Sequence, residues 1–331
     1  MASSDEVLAT IPVDMEPRWV AVTPDGHRAY VTLTKDQPGD LPTLSAVAVI
    51  DTQTNTVAAT VTIDHRSNLD QPSGVVITPD GRRAYVSNFD GRGVVDVIDT
   101  ATSTVIETIT VSGRGGSSTG TAITPNGRHV YVATGNELDL PNEGKVSVID
   151  TATNTVLTTI RGNSHPSTVT VTPDGDFVYV LDDDGSAQVI DTATHKARLA
   201  EELEGVVTNG RIAFTPDGLH LYAVSEGSDL VQVLEVATGR IVAVVDVFGG
   251  RSTDVAVSRD GRHVCVTQRP GNALKRPLWV IETTTRTIIG SPAKWSGTAN
   301  GLAITPDGST LYVADRNSRA VRVIPVQPQT A

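Results

Sequence analysis

The nonapeptide TPDGRRAYV, residues 78–86, decides the fold, because near copies of it recur along the whole chain. Its Pro presets φ and its Asp-Gly pair tolerates a tight turn, so the motif indicates a hairpin turn that leads into a strand. The other copies are TPDGHRAYV (23–31), TPNGRHVYV (124–132), TPDGDFVYV (172–180), TPDGLHLYA (215–223), SRDGRHVCV (258–266) and TPDGSTLYV (305–313). Successive copies start 43 to 55 residues apart, a period typical of propeller blades.

A second turn motif, such as IDTATSTV at 98–105, follows the first six copies, more loosely at 234–241 and 281–288. Val, Thr and Ile dominate the flanking segments, as expected of half-buried strands. In the first unit the strands are predicted at 20–23, 29–32, 46–51 and 56–63. Seven such units predict an all-β fold: a seven-bladed β-propeller with four antiparallel strands per blade.

The two ends of the chain complement each other. The last unit offers strands at 311–315 and 320–326 but no fourth strand, whereas EVLATIPV at 6–13 resembles the fourth-strand segment TVIETITV at 104–111. The N-terminal strand is therefore predicted to close the last blade, which removes an open edge. Because the repeat runs from end to end, residues 1–331 are expected to form one domain.

Composition argues against several classes of function. The net charge of −12 and the pI near 5.0 argue against a nucleic-acid partner, which needs a basic stripe. No run of 18 apolar residues indicates a membrane segment, and Cys265 is the sole cysteine. The first residues resemble no signal peptide, so the chain is expected to be cytoplasmic and monomeric; an exported protein whose signal peptide had been removed would look the same.

The segments AYVT (29–32), AYVSN (84–88), VYVAT (130–134) and LYVAD (311–315), with their VIDTATxTV turns, resemble the YVTN family of β-propeller repeats. The resemblance covers essentially the whole chain and implies the seven-bladed fold. For function it implies less, since YVTN-type propellers resemble surface-layer proteins, lactonases and lyases alike.

Loop lengths predict which face binds a ligand. The TPDG and DTxT turns, nearly constant in length, share one face, here called the uniform face; the opposite, variable face carries all the differences in length and is the expected binding face. Two histidines, His65 and His165, map to the variable face, and His165 is the better candidate for a general base, although a loop histidine bonded to backbone is an alternative. The others are expected to be exposed residues of the uniform-face turns: His27, His129, His195, His220 and His263.

Aligning the units on TPDG predicts a polar funnel mouth. We expect the catalytic groups to be His165, Glu16 and Asp182, with an arginine binding an anionic group of the substrate. Trp19 and Trp295 are placed in inter-blade links, where they could stack on a ligand. The full set of predicted substrate-binding residues is Arg18, Trp19, His65, Ser73, Asn88, Thr119, Ser167, Arg251, Gln268, Trp295, Asn300 and Asp315. A structural channel lined by water-bridged polar groups is the alternative.

These features favour a small-molecule enzyme that uses acid/base chemistry of the lyase, cyclase, condensation or lactonase type, with a biosynthetic role among the options. No spacing of His or Cys indicates a metal, and GRGGSSTG at 113–120 precedes a strand rather than the helix of a phosphate loop, so no cofactor is expected. The alternatives are a non-enzymatic protein-interaction scaffold and a secreted surface repeat protein. A scaffold should expose an aromatic or apolar patch, and aromatic residues make up only 4% of the chain.

Overall fold

The computed structural model describes residues 7–35, 43–63, 71–89, 93–111, 116–136, 144–162, 165–183, 185–200, 210–225, 227–270, 277–292, 295 and 297–326. Within these ranges the chain forms 28 strands in seven four-stranded antiparallel sheets, and it contains no helix. The described residues accordingly include no helix with the length and apolar composition needed to cross a membrane. The predicted seven-bladed, all-β propeller is confirmed.

Each sheet is one blade, numbered here from the first TPDG unit. Blades one and two contain β2 (Glu16–Val22), β3 (Arg28–Lys35), β4 (Leu44–Asp51), β5 (Thr56–Ile63), β6 (Gln71–Ile77), β7 (Arg83–Phe89), β8 (Val94–Asp99) and β9 (Thr104–Thr110). Blades three and four contain β10 (Gly116–Ile123), β11 (His129–Asn136), β12 (Lys145–Asp150), β13 (Thr155–Arg161), β14 (Pro166–Val171), β15 (Phe177–Asp182), β16 (Ala187–Asp191) and β17 (Ala197–Leu199). Blades five and six contain β18 (Gly210–Phe214), β19 (His220–Ser225), β20 (Leu230–Glu235), β21 (Ile241–Asp246), β22 (Gly250–Val257), β23 (His263–Pro270), β24 (Leu278–Glu282) and β25 (Thr287–Gly290). Blade seven contains β26 (Ala299–Ile304), β27 (Thr310–Asp315), β28 (Ala320–Pro325) and, from the N-terminus, β1 (Ala9–Pro12).

Strand β1 closes the ring as predicted. It pairs antiparallel with β28, in a register that runs from Ala9 opposite Val323 to Pro12 opposite Ala320. Arg322 reinforces this edge, because it donates to Thr10 Oγ1 (2.8 Å) and also makes two bonds to the buried carboxylate of Asp315 (3.0 and 2.9 Å). The last blade therefore joins the two ends of the sequence.

The TPDG motif is held together by its own side chains. In the first copy Thr23 Oγ1 donates to Asp25 Oδ1 (2.5 Å), and that oxygen also accepts the backbone N–H of His27 (3.0 Å). Gly26 has φ +75°, a conformation that a residue with a side chain rarely adopts. These bonds lower the pKa of the Asp25 carboxyl, the Thr23 hydroxyl contributing most.

The hydrophobic core lies between blades rather than within one. Tyr30 and Val49 of blade one, for example, pack with Val75, Ile77 and Ile98 of blade two, and each of the other apolar clusters likewise joins neighbouring blades. Stacking seven pleated sheets in this way buries both faces of every blade.

A tyrosine contact ties neighbouring blades on the uniform face. In six blades the turn between the third and fourth strands carries a residue with positive φ, from 53° to 66°: Asn55, Ser103, Asn154, His195, Gly239 and Arg286. Tyr85 of blade two donates to Asn154 Oδ1 of blade three (2.6 Å), and Tyr312 of blade seven donates to Asn55 Oδ1 of blade one (2.9 Å). Asn tolerates this left-handed conformation and also supplies the acceptor.

Candidate functional site

The innermost strands of most blades carry a β-bulge halfway along their length. The register against the second strand shifts between Pro72 and Gly74 in blade two, and equivalent shifts occur in blades one, three, four, six and seven. A bulge inserts one unpaired residue and re-aims the side chains beside it. Several predicted lining residues, including Ser73 and Ser167, are these bulged residues, so the next position along the strand becomes important.

Four residues before the turn threonine, the side chains of Trp19 and Arg211 meet across the centre of the ring. The guanidinium carbon of Arg211, in blade five, lies 4.1 Å from the centroid of the Trp19 ring, in blade one. These blades stand on opposite sides of a seven-membered ring, so the contact spans the central channel. Trp19 is the fourth of the seven residues of β2, which places the contact at mid-depth. Trp19 was predicted in an inter-blade link and instead lies within the innermost strand.

The Arg211 guanidinium is positioned by blade four. Its Nη1 donates to Thr168 Oγ1 (3.0 Å), and that hydroxyl donates to the backbone oxygen of Gly210 (2.7 Å). A guanidinium over an indole face is a favourable cation–π pair. Together these contacts fix a positive charge on the axis of the propeller.

Asp254 occupies the same position in blade six. One carboxylate oxygen accepts the N–H of Val255 (2.9 Å), and the other accepts the N–H of Leu302 in blade seven (3.0 Å). Asp254 as a whole is half-buried, and the surrounding protein encloses its carboxyl group. Burial raises the pKa of Asp254 to about 6, against the opposing effects of the Arg211 charge and the two backbone bonds. Asp254 can therefore gain or lose a proton near neutral pH.

The remaining blades contribute small groups at this level. The seven aligned residues, from blade one to blade seven, are Trp19, Gly74, Gly120, Thr168, Arg211, Asp254 and Gly301. At Gly301 a Cβ atom would lie 2.7 Å from the backbone oxygen of Arg18 and 2.8 Å from the Cα of Trp19. Glycine there lets blade seven pack directly on the strand that carries Trp19.

Polar and charged groups of blades seven, one and two lie at the mouth of the channel on the variable face. Glu16 accepts a bond from Arg316 Nε (2.7 Å), and both side chains are about one-third exposed. Arg18 donates from Nε to Thr34 Oγ1 (3.2 Å) and from Nη2 to Gln71 Oε1 (3.5 Å). Glu16 and Arg18, two of the predicted rim residues, therefore each bond to a residue of a neighbouring blade, Arg316 in blade seven and Gln71 in blade two.

Four predicted lining residues at the ends of second strands are engaged inside their own blades. Asn88 Nδ2 donates to Asp96 Oδ2 (2.7 Å), and Asp182 Oδ2 accepts from Ser186 Oγ (3.1 Å). Gln268 Oε1 accepts from Trp279 Nε1 (2.9 Å), and Asp315 binds Arg322. All four are buried. These residues were predicted to line the funnel. They lie on the second strand of each blade, which is separated from the channel by the innermost strand.

The other predicted residues are distributed between mouth and core. Trp295 is 8% exposed and packs with Ala299 and Leu302 in the core between blades six and seven, which leaves its ring little surface for stacking on a ligand. Arg251 is exposed on β22. His165 is half-buried, and its backbone oxygen accepts the N–H of Asp183. The backbone oxygen of Asn300 accepts a hydrogen bond from the Thr267 hydroxyl. His65 and the Thr119 side chain lie outside the described residues.

The uniform-face histidines are less exposed than predicted. Of the five, His27 is exposed, whereas His129, His195 and His220 are half-buried and His263 is 7% exposed. Cys265 is buried as expected, and burial raises the pKa of its thiol to about 12. Among the described residues no three His, Cys, Asp or Glu side chains come close enough to hold a metal ion.

The predicted rim consists of the positions five and seven before the turn Thr or Ser, whereas Arg211 and Asp254 stand four residues before it. The same alignment does carry a signal, since this position holds Arg211 and Asp254 in two blades and glycine in three others. A bulge cannot be recognised from an alternating pattern of Val and Thr alone.

Comparison with known proteins places the chain among propellers. The sequence profile of the family described as "Lactonase, 7-bladed beta-propeller" matches residues 45–331. Among curated protein sequences, none matches significantly. Hydrazine synthase of Kuenenia stuttgartiensis superposes with a TM-score of 0.73 at 21% identity, covering 96% of this chain and 98% of that one. A chain in the crystal structure of a mitotic checkpoint complex superposes with a TM-score of 0.75 at 14% identity, covering 99% and 97%. At these identities both likenesses show the fold alone.

Proposed function

Because the chain belongs to the lactonase family of seven-bladed β-propellers, we propose that it opens or closes the lactone ring of a small molecule bound in the variable-face half of the channel. The observation that carries the proposal is Asp254, a carboxyl group whose pKa is raised to about 6 beside the fixed charge of Arg211. Perturbed titratable groups inside a cavity are characteristic of acid/base catalysts.

The chemistry needs one group that both accepts and returns a proton. As water bonds to the lactone carbonyl carbon, the Asp254 carboxylate takes a proton from that water. The ring C–O bond then breaks, and the alkoxide oxygen recovers the proton from Asp254, which yields a hydroxy acid. Arg211 supplies the positive charge that stabilises the carbonyl oxygen as it becomes negative. In the reverse direction the same transfers close the ring and release water.

The mouth residues have a separate part in this proposal. Arg18 and Arg251 bind an anionic group of the substrate, and Glu16 and His165 are alternative proton-transfer groups above the floor. Trp19 forms the floor itself, where its indole face and the Arg211 guanidinium exclude water from below. The substrate is then held between the charged mouth and the Asp254 carboxyl group.

The test is turnover of a panel of lactones that vary in ring size and charge, followed by acid release at constant pH. With any lactone that is opened, Asp254→Asn should lower the rate by about 10²- to 10⁴-fold. Asp260→Asn is the matched control, because Asp260 belongs to the same blade but lies in its uniform-face turn. Full activity of Asp254→Asn together with a large loss in Glu16→Gln or His165→Ala would move the chemistry to the mouth. If all of these variants keep full activity, the proposed site is wrong.

A further inference from the structure

The contact between blades three and four differs from its counterparts on the uniform face. Tyr131 of blade three meets His195 Nδ1 of blade four (3.1 Å), whereas the equivalent tyrosines Tyr85 and Tyr312 meet the amides of Asn154 and Asn55. His195 has φ +55°, so it occupies the same left-handed turn position as the asparagines. An imidazole, which can be protonated, thus replaces an amide, which cannot.

A second imidazole lies against the first. The rings of His129 and His195 stand edge to face, with centroids 5.2 Å apart, and His129 is 6.5 Å from the Tyr131 ring. His129 opens strand β11 and His195 belongs to the turn before β17, so this cluster bridges the two blades. Tyr131 is fully buried and both histidines are half-buried. Two protonated imidazoles at this separation would repel each other with little water between them.

We propose that His129, Tyr131 and His195 form an acid-sensitive latch that holds blades three and four together while its histidines are neutral and loosens when both are protonated. The latch stands on the opposite face from the channel mouth and does not rest on the proposed function.

The charged groups around the latch define its working range. Asp150 pairs with His129 across the sheet, and Asp191 begins the turn that carries His195. Hydrogen bonds from Thr153 lower the pKa of the Asp150 carboxyl, and hydrogen bonds from Thr194 lower that of Asp191. Both carboxylates therefore stay ionised and offset part of the repulsion between the two histidines. Arg128 and Lys196 are the adjacent cations in the sequence, and the Arg128 charge disfavours protonation of His129. Burial raises the pKa of Tyr131 to about 12, so the phenol stays neutral.

The sign of the effect follows from His129. Burial, then the charge of His195, lower its pKa below the ordinary value of 6.5, so the folded protein binds this proton less readily than the unfolded chain does. The stabilising contribution is therefore complete above pH 6.5 and is lost as the pH falls below that value toward the pKa of the folded state.

Hydrogen exchange of the full-length protein at pH 7.5 and 5.5, corrected for the intrinsic exchange rate, tests the latch. Amides of residues 129–132 and 191–197 should lose protection at pH 5.5, while the equivalent amides of the Tyr85–Asn154 contact serve as an internal reference that should not change. Equal changes at both contacts would overturn the proposal.

A designed variant provides the second arm. The double substitution His129→Arg/His195→Asn copies the Arg83 and Asn154 pair that joins blades two and three. Relative to wild type, its Tm should rise by about 1–3 °C more at pH 5.5 than at pH 7.5. Other groups that titrate in this range, Asp254 among them, cancel in this difference. His27→Asn, at an exposed turn, is the control; a pH dependence in the double variant equal to that of wild type would overturn the latch.

Discussion

The guanidinium of Arg211 and the indole of Trp19 are in face contact across the propeller axis, with 4.1 Å between the guanidinium carbon and the ring centroid. Trp19 lies on β2 and Arg211 on β18, the innermost strands of blades one and five. These two strands are far apart in the sequence. The channel therefore has a floor halfway along its length, formed by a cation and an aromatic ring.

Removing this cation should uncover the Trp19 ring. In Arg211→Met we expect stronger acrylamide quenching of tryptophan fluorescence, because Trp279 and Trp295 are about 9% and 8% exposed and contribute little accessible emission. Stability should fall by about 0.5–2 kcal/mol, the value of a cation–π pair. Arg211→Lys, which keeps a charge, is the control. Quenching that rises equally in a Trp19→Phe background would show that another tryptophan responds.

Asp254 should make the stability depend on pH in a direction unusual for a carboxylate. Its pKa rises from 3.8 to about 6 on folding, so its charged form is disfavoured and stability is lost as the pH rises from about 4 to above 6. Asn cannot ionise, and the stability of Asp254→Asn relative to wild type should therefore increase by about 2 kcal/mol between pH 4 and pH 7. Loss of one hydrogen-bond acceptor adds an offset that does not vary with pH.

Denaturant unfolding of both proteins at the two pH values measures this difference. Asp260→Asn should change little between these two pH values, and in the opposite sense, since the Ser258 hydroxyl and a backbone bond lower the pKa of the Asp260 carboxyl below 3.8, under the range compared. A flat difference for Asp254→Asn would mean that the group ionises normally.

Blade seven should depend strongly on Arg322. Replacing it with Met removes the bond to Thr10 in β1 and leaves Asp315, which is fully buried, without its cation. We expect a loss of about 3–5 kcal/mol. In the double variant Asp315→Asn/Arg322→Met much of that loss should be recovered, because no buried charge is left. Thermal unfolding measures both, and an equal loss in the single and double variants would contradict the buried-charge explanation.

Asn154 should contribute through two separable effects. Asn154→Ala removes the acceptor of the buried Tyr85 hydroxyl and places Ala at φ 53°, so we expect a loss of about 2–3 kcal/mol. Asn154→Gly loses the same bond without the backbone strain and should be about 1 kcal/mol more stable than the Ala variant in denaturant unfolding. Identical stabilities would show that the left-handed turn carries no strain.

The fold could be predicted from sequence because its signals are repeated. Each TPDG copy specifies a turn by local chemistry, and seven copies at blade length leave few other architectures. Closure by β1 followed from the missing fourth strand after residue 326. The strands extend further toward the variable face than predicted, as β3 does to Lys35, because pairing there depends on neighbours rather than on propensity.

The candidate site was predicted only in part, for reasons of geometry. The sequence placed Glu16 and Arg18 at the mouth, and both lie on the innermost strand of blade one, Glu16 before the bulge and Arg18 within it. Asp254 was not predicted, since the bulge shifts the inward-facing position by one residue in blade six. Arg211 takes the same position of the repeat in blade five, where the register against the second strand is unbroken. The Trp19 contact was beyond prediction, because it joins blades that are far apart in sequence and share no motif.

The antiparallel pairing of β1 with β28 has a mechanical consequence. Ala9 lies opposite Val323, so the segment that enters β1 and the segment that leaves β28 emerge from the same end of the blade. Tension applied between these two segments would load the strand-to-strand hydrogen bonds one after another, in an unzipping geometry, rather than all at once in shear. A pull on both ends would peel β1 away at low force and open the ring at blade seven while the other six blades stay intact.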